Sequence, residues 1–168
     1  MVGRHNAQNG ALALAVAGAM GVPAAVAAEG LAHAEGPPMR LAVERLAVGD
    51  GTITLLNDAY NANPDSALAA IETLAAMDST GSRIAVLGDM LELGAGSEAM
   101  HAEVGARAGE AGVDGVWAFG TESAATTGAA RAVAPGDVVL AMGSRGVRLE
   151  RLVAALHEAA RAGAHANP

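Results

Sequence analysis

Three short apolar runs in this chain end in glycine: "RIAVLG" (83–88), "GVWAFG" (115–120) and "DVVLAMG" (137–143). Each is too short for a buried helix and has the composition of a strand covered on both faces. After each comes a longer segment that reads as a helix, at 97–112, 122–133 and 147–162. Parallel neighbours need a crossover connection, and a helix is the usual one, so this repeat predicts a parallel sheet with helices on both faces. One more unit precedes it. "RLAVERLAV" (40–48) begins by alternating polar and apolar residues, "DG" (50–51) signals a hairpin turn, and "TITLLN" (52–57) follows. A helix over 64–78 then places Leu68, Ile71, Leu74 and Ala75 on one face. The expected fold is α/β and Rossmann-like, a mostly parallel sheet with an antiparallel edge hairpin.

The first forty residues have another rhythm. Residues 7–20 read as a helix stopped by Gly21 and Pro23, and 23–33 as a second, shorter one. "AEGPPMR" (34–40) is the best linker candidate. The N-terminus also imitates a secretory signal, with Arg4 as the basic region, 11–21 as the apolar region and "AVA" (25–27) as the cleavage site. Asn6, Gln8 and Asn9 interrupt that pattern, the run is mostly alanine and glycine, and Pro23 breaks it. A buried alanine-rich helix fits better, and no single helix here spans a bilayer.

Composition removes several chemistries. There is no cysteine, so disulfides, thiolate metal sites and cysteine nucleophiles are excluded, as suits a reducing compartment. All ten cationic side chains are arginine, so no lysine of this chain grips a phosphate or forms a Schiff base. The net charge of −8 with no basic run argues against a nucleic-acid partner. Aromatic residues are 2% of the chain, so the core must be Ala, Val, Leu and Met.

In such folds ligands bind beyond the carboxyl ends of the strands, which directs attention to 57–64, 88–97, 120–122 and 143–147. In "NDAYNANPDS" (57–66), Asn63 is a helix N-cap, Pro64 suits the first helical position and Asp65 complements the dipole. Capping leaves Asp58, Tyr60 and Asn61 unexplained; a carboxylate suits ribose hydroxyls, and an asparagine reads amides or phosphate oxygens. "LGDMLELG" (87–94) offers Asp89 and Glu92, which suit either a cation and proton transfer or a solvated loop. "MGSRG" (142–146) is a strand-to-helix turn where backbone amides, Ser144 and Arg145 form a carboxylate or phosphate cradle. His101 is placed in the first turn of its helix, with no histidine spacing that holds a metal; His33, His157 and His165 read as surface residues.

Together, "HNAQNGALALAVAGAMGV", "NDAYNANPDS", "VLGDMLELG", "H.EVG" at 101–105 and "GSRG..LE" at 143–150 resemble the Mur ligases, in that order and over nearly the whole chain. "NANP" and "GDMLELG" are similar to the forms in the member that adds D-alanyl-D-alanine. The resemblance implies three domains: one for the uridine nucleotide, a central ATPase and a C-terminal Rossmann-like domain. It places residues 1–36 as a helical remnant of the central domain, 37–162 as the C-terminal domain and 163–168 as a tail. It implies a cytoplasmic ATP- and Mg2+-dependent ligation. ATP phosphorylates the carboxylate of UDP-N-acetylmuramoyl-tripeptide, and the amine of D-alanyl-D-alanine attacks the acyl phosphate, giving an amide, ADP and phosphate.

By the same resemblance, Asn6 lies beside the adenine, Arg40 is the catalytic linker arginine that reaches the ATP phosphates, and Asp58 holds the ribose. Asn61 and Asn63 face nucleotide and substrate; Tyr60, Ser144 and Arg145 lie toward the dipeptide. Three departures stand out. The glycine-rich phosphate loop with its lysine, and the magnesium-binding glutamate and histidine, are expected upstream of residue 1. Met142 stands where the family usually has lysine. "GPPMR" is looser than the family pattern. The isolated chain is therefore expected to be catalytically incompetent; the alternatives are a stand-alone nucleotide-binding or regulatory module and a truncated reading frame.

Overall fold

The computed structural model describes residues 2–120 and 133–165. Strands β1 (Ala42–Val48), β2 (Gly51–Asp58), β3 (Arg83–Gly88), β4 (Gly115–Phe119) and β5 (Val138–Met142) form one sheet in the order β1-β2-β5-β3-β4. Only β1 and β2 pair antiparallel; the remaining neighbours are parallel. Helices α1 (Arg4–Ala19) and α2 (Ala24–Ala32) precede the sheet, and α3 (Pro64–Ala76), α4 (Ser97–Glu110) and α5 (Glu150–His165) cover it.

The period of two along each strand builds two separate cores. On one face Leu55, Val86, Val139 and Ala141 meet Leu149, Leu152 and Leu156, the last two on α5. On the other, Leu56, Ala85, Val138, Leu140 and Met142 meet Ala67, Ile71 and Leu74 of α3 and Val104 and Ala108 of α4. Every residue of β5 is buried, as befits the central strand. The expected parallel sheet, two covered faces and edge hairpin are all present.

Several local expectations are corrected. Val48 pairs with Gly51, so the two-residue turn is Gly49–Asp50 rather than Asp50–Gly51. Gly49 has φ 55, the left-handed conformation wanted at the first central position of a glycine-first hairpin turn. The last helix begins at Glu150, not 147, because Arg145–Val147 form a short 3₁₀ turn and Arg148 is left-handed at φ 60. It continues to His165, past the expected end at 162. The helix expected at 122–133 falls, apart from Val133, outside the described residues, as do residues 166–168 and the side chain of His165.

Helices α1 and α2 do not form a buried element. Gly10 is their only buried residue, and Leu12 (66%), Val16 (51%), Met20 (78%) and Val26 (57%) are exposed. Among the described residues no helix is long and apolar enough to cross a membrane. His157 is not a free surface residue either: its Nε2 lies 2.7 Å from Glu44 Oε2, tying α5 to β1. Asn57 Nδ2 donates to the other oxygen of Glu44 at 2.8 Å, so the carboxylate bridges the edge strands and the last helix.

Candidate functional site

The segment 57–66 performs two jobs at the carboxyl end of β2. Its second half starts α3. Asn63 Oδ1 accepts from the Ser66 N–H at 2.9 Å and Ser66 Oγ accepts from the Asn63 N–H at 3.1 Å, a reciprocal capping box with Pro64 in the first turn. The cap occupies the Asn63 carbonyl oxygen and leaves its amide NH2 for a ligand.

Its first half holds the linker. Asp58 Oδ1 accepts from the Leu41 N–H at 2.9 Å, and the Tyr60 N–H donates to the Met39 carbonyl at 3.2 Å. Between these two anchors stands Arg40, with its guanidinium carbon 4.3 Å from the centre of the Tyr60 ring. Met39 and Leu41 are both left-handed, at φ 56 and 51. Such a conformation in a side-chain-bearing residue costs roughly 1–2 kcal/mol and persists only where surrounding contacts over-determine it. Here two hydrogen bonds and a cation–π contact do so, and the result is one fixed direction for Arg40.

Burial pushes the Asp58 carboxyl above its usual 3.8; the Leu41 hydrogen bond and the charges of His5 and Arg40 pull the other way without overcoming it. Asp58 lines a cleft of about 670 Å³ shared with Asn6, Arg40, Asn61 and Asn63, and with His5 and Asn9 of α1. All five residues expected to bind the nucleotide thus line one cavity, although they come from α1, the linker and the β2–α3 loop. Asn6 spends part of its amide on the Val2 carbonyl at 2.8 Å and on the Asn9 amide at 3.5 Å. Asn61 is exposed and has no hydrogen-bond partner among the described residues. His5 is a cleft residue that sequence reasoning missed, since a histidine beside a helix start has no distinctive local pattern.

The second half of the candidate site, around the residues expected to face the dipeptide, is organised by Ser144. It is 4% exposed. Its Oγ accepts from the Leu91 N–H at 2.9 Å and donates to the Ala62 carbonyl at 3.5 Å, while its N–H donates to the Asp89 carbonyl at 3.0 Å. Ser144 therefore braces the loops after β2, β3 and β5 against one another, and its hydroxyl is already partnered. Of the amides in the turn at "GSRG", the Val147 and Arg148 N–H groups are spent closing the 3₁₀ turn onto the Ser144 and Arg145 carbonyls. What this turn presents is the exposed Arg145 side chain, whose guanidinium carbon lies 5.7 Å from the Tyr60 ring centre.

His101 lies in the second turn of α4, not the first, and its ring is a brace. The Met90 N–H donates to Nε2 at 2.8 Å, so the ring proton sits on Nδ1 and is given to the Ser97 carbonyl at 2.7 Å. Nothing local in the sequence marks this role. Asp89 is half-buried, Glu92 is exposed and left-handed at φ 66, and among the described residues no three His, Asp or Glu side chains converge to hold a metal. Met142, 1% exposed, floors a second cleft of about 200 Å³ with Ala62, Ala67, Leu87, Val104 and Phe119.

The sequence matches the family described as "Mur ligase, glutamate ligase domain" over residues 39–130. It is similar to the UDP-N-acetylmuramoyl-tripeptide–D-alanyl-D-alanine ligase of Escherichia coli, 37% identical over 175 residues that cover 93% of this chain and 38% of that protein. The Bacillus subtilis enzyme of the same name is 33% identical over 181 residues, covering 94% of this chain and 39% of the relative. Among solved structures, the fold superposes on the MurF ligase of Thermotoga maritima in complex with ADP with a TM-score of 0.74 at 28% identity, covering 89% of this chain and 37% of the other. A MurF structure from Acinetobacter baumannii gives 0.76 at 28% identity, covering 93% and 38%. The chain thus spans about two fifths of the length of the relatives it matches.

Proposed function

The chain belongs to the Mur ligase family, and on that premise we propose that it supplies part of a ligase adding D-alanyl-D-alanine to UDP-N-acetylmuramoyl-tripeptide. The observation that carries this reading is the single cleft lined by Asn6, Arg40, Asp58, Asn61 and Asn63. It fits a nucleotide. Asp58 has a second carboxylate oxygen for a ribose hydroxyl, Asn61 retains an unpaired amide and Asn6 one amide hydrogen for the base and phosphates, and Arg40 stands at the edge as the cation. ATP is the assigned nucleotide; its phosphoryl group activates the tripeptide carboxylate, and Arg40 stabilises the charge that develops during transfer. The incoming dipeptide is assigned to the side of the site where Arg145 lies, and its amine displaces phosphate from the acyl phosphate. Ser144 acts indirectly, by fixing the loops that carry Asn61 and Arg145, with Tyr60 beside them.

Residues 1–36 are assigned to the central domain and 37–162 to the C-terminal domain, in keeping with a family match that starts at residue 39. The apolar side chains on α1 and α2 suit a surface that packs against the rest of a central domain. The magnesium ligands, the phosphate-loop lysine and the uridine-binding domain are assigned, by the family resemblance, to other parts of the enzyme. The reaction is placed in the cytoplasm, with small-molecule substrates only.

The test is a chimaera in which this chain replaces the matching part of the Escherichia coli relative. Phosphate release that requires both UDP-N-acetylmuramoyl-tripeptide and D-alanyl-D-alanine is expected, with kcat about a hundredfold lower after Arg40→Ala. A chimaera that folds and binds ADP but releases no phosphate with both substrates contradicts the reading. Turnover by the 168-residue chain alone contradicts the division of the site.

A further inference from the structure

Two arginines share one aromatic ring. The guanidinium carbons of Arg40 and Arg145 lie 4.3 and 5.7 Å from the centre of Tyr60, so they are separated by at most the sum of those distances. Neither has a carboxylate within ion-pairing distance among the described residues; Asp58 acts on Arg40 through its charge without an ion pair. Two like charges this close repel, and attraction to the face of a single ring offsets only part of that repulsion. A group with several anionic oxygens that reaches both guanidiniums offsets this repulsion and gains hydrogen bonds from both planar forks.

We propose that Tyr60 is a positioning residue that gathers Arg40 and Arg145 into one seat for a phosphoryl group. The assignment rests on the nucleotide reading above and extends it. Asp58 and Arg40 line the nucleotide cleft, while Tyr60 and Arg145 do not line it and join it through Arg40. A nucleotide whose ribose meets Asp58 therefore runs its phosphates outward past Arg40, and the group farthest from the ribose meets both arginines. That is the phosphoryl group that moves to the substrate carboxylate. Tyr60 is well built for the task. Its backbone N–H is tied to the linker at Met39, so the ring and Arg40 keep a fixed relation. The only tyrosine of the chain thus serves as the platform on which the linker and the β5–α5 turn meet.

The test uses the 168-residue chain, with arginine side-chain Nε–Hε signals followed by NMR during titration with inorganic phosphate. The Arg40 and Arg145 signals are expected to move together along one binding curve. Tyr60→Phe, which keeps the ring face, is expected to bind phosphate within about twofold of the wild type, and Tyr60→Leu about tenfold more weakly. An unchanged Leu41 amide signal, whose hydrogen bond to Asp58 is separate from the ring, shows that the variants keep the loop. Phosphate binding by Tyr60→Leu as tight as wild type overturns the proposal. So does movement of Arg40 without Arg145, and so does a response of Arg145 to D-alanyl-D-alanine with none to phosphate. Titration with ADP separates the two levels: loss of the ADP response at Asn6 and Asn61 sinks the nucleotide reading, whereas its presence alongside a silent ring site sinks only the seat.

Discussion

Asp58 is the residue where stability and binding conflict most directly. Its Oδ1 holds the Leu41 N–H at 2.9 Å, and Leu41 is left-handed and 5% exposed. Replacing Asp58 by alanine leaves that amide without its acceptor. A part-buried donor that loses its partner costs about 1–3 kcal/mol, and in a chain of this size that lowers Tm by roughly 2–10 °C. Asp58→Asn is different, because Asn Oδ1 still accepts the bond while the charge is gone. Burial raises the Asp58 pKa above its unfolded value, so the folded state holds the proton more tightly. Stability from this group is therefore full below the unfolded pKa and is lost as pH rises through the folded one. At neutral pH the charged wild type has already lost it, and the neutral asparagine has not. Thermal melts of wild type, Asp58→Asn and Asp58→Ala at about pH 7 and about pH 4 separate these effects. The order expected at neutral pH is Asn at or above wild type, with Ala lowest, and the Asn advantage shrinks in acid. A wild type more stable than Asp58→Asn at neutral pH, with the gap closing on acidification, refutes the reasoning, since it means that pairing outweighs desolvation.

Three further outcomes follow from the same geometry. Ser144→Ala orphans the Leu91 N–H, with an expected loss of about 1–3 kcal/mol and faster hydrogen exchange at Leu91 than at the β5 amides. Gly143→Ala sets a Cβ 2.8 Å from Leu149 Cδ1 and 3.1 Å from the Gly88 Cα; overpacking there should cost about 1–3 kcal/mol in denaturant unfolding. Leu12→Lys with Met20→Lys removes two exposed apolar side chains from α1 and its C-cap. That pair should reduce concentration-dependent association in sedimentation velocity while changing stability by no more than about 0.5 kcal/mol.

The sheet was legible because its signals are local. Apolar runs such as "RIAVLG" and "DVVLAMG" need both faces covered, and the helical spacing of Leu68, Ile71 and Leu74 supplies one cover. The glycines that end those runs were legible as punctuation, but their cause was not: Gly88 and Gly143 have ordinary φ and are small so that β3 and β5 can approach each other and Leu149. The capping box at Asn63 and Ser66 was half-visible, since the Asn-Pro start is local and the serine's return bond is not. The site was harder to read. Arg40, Tyr60 and Arg145 meet only through the fold, and no spacing rule links a linker, a β2–α3 loop and a β5–α5 turn. Ser144 stood out as a polar residue in a glycine-rich turn, but its bracing bonds to the Leu91 N–H and the Ala62 carbonyl come from distant loops and have no local signal. The exposure of α1 was not legible in its own pattern, because an alanine-rich helix has too small an amphipathic contrast to show which face is covered; it follows instead from reading residues 1–36 as the remnant of another domain.

The most direct measurement is a titration of the 15N-labelled chain with ADP, following backbone and asparagine side-chain amides. Progressive shifts at Asn6, Asn61, Asn63 and the Leu41 N–H that reports on Asp58 are predicted, with the residues around Met142 and Phe119 undisturbed. Shifts confined to that second, apolar cleft, or no shift at Asn6 and Asn61 at saturating nucleotide, contradict a nucleotide site built from α1, the linker and the β2–α3 loop.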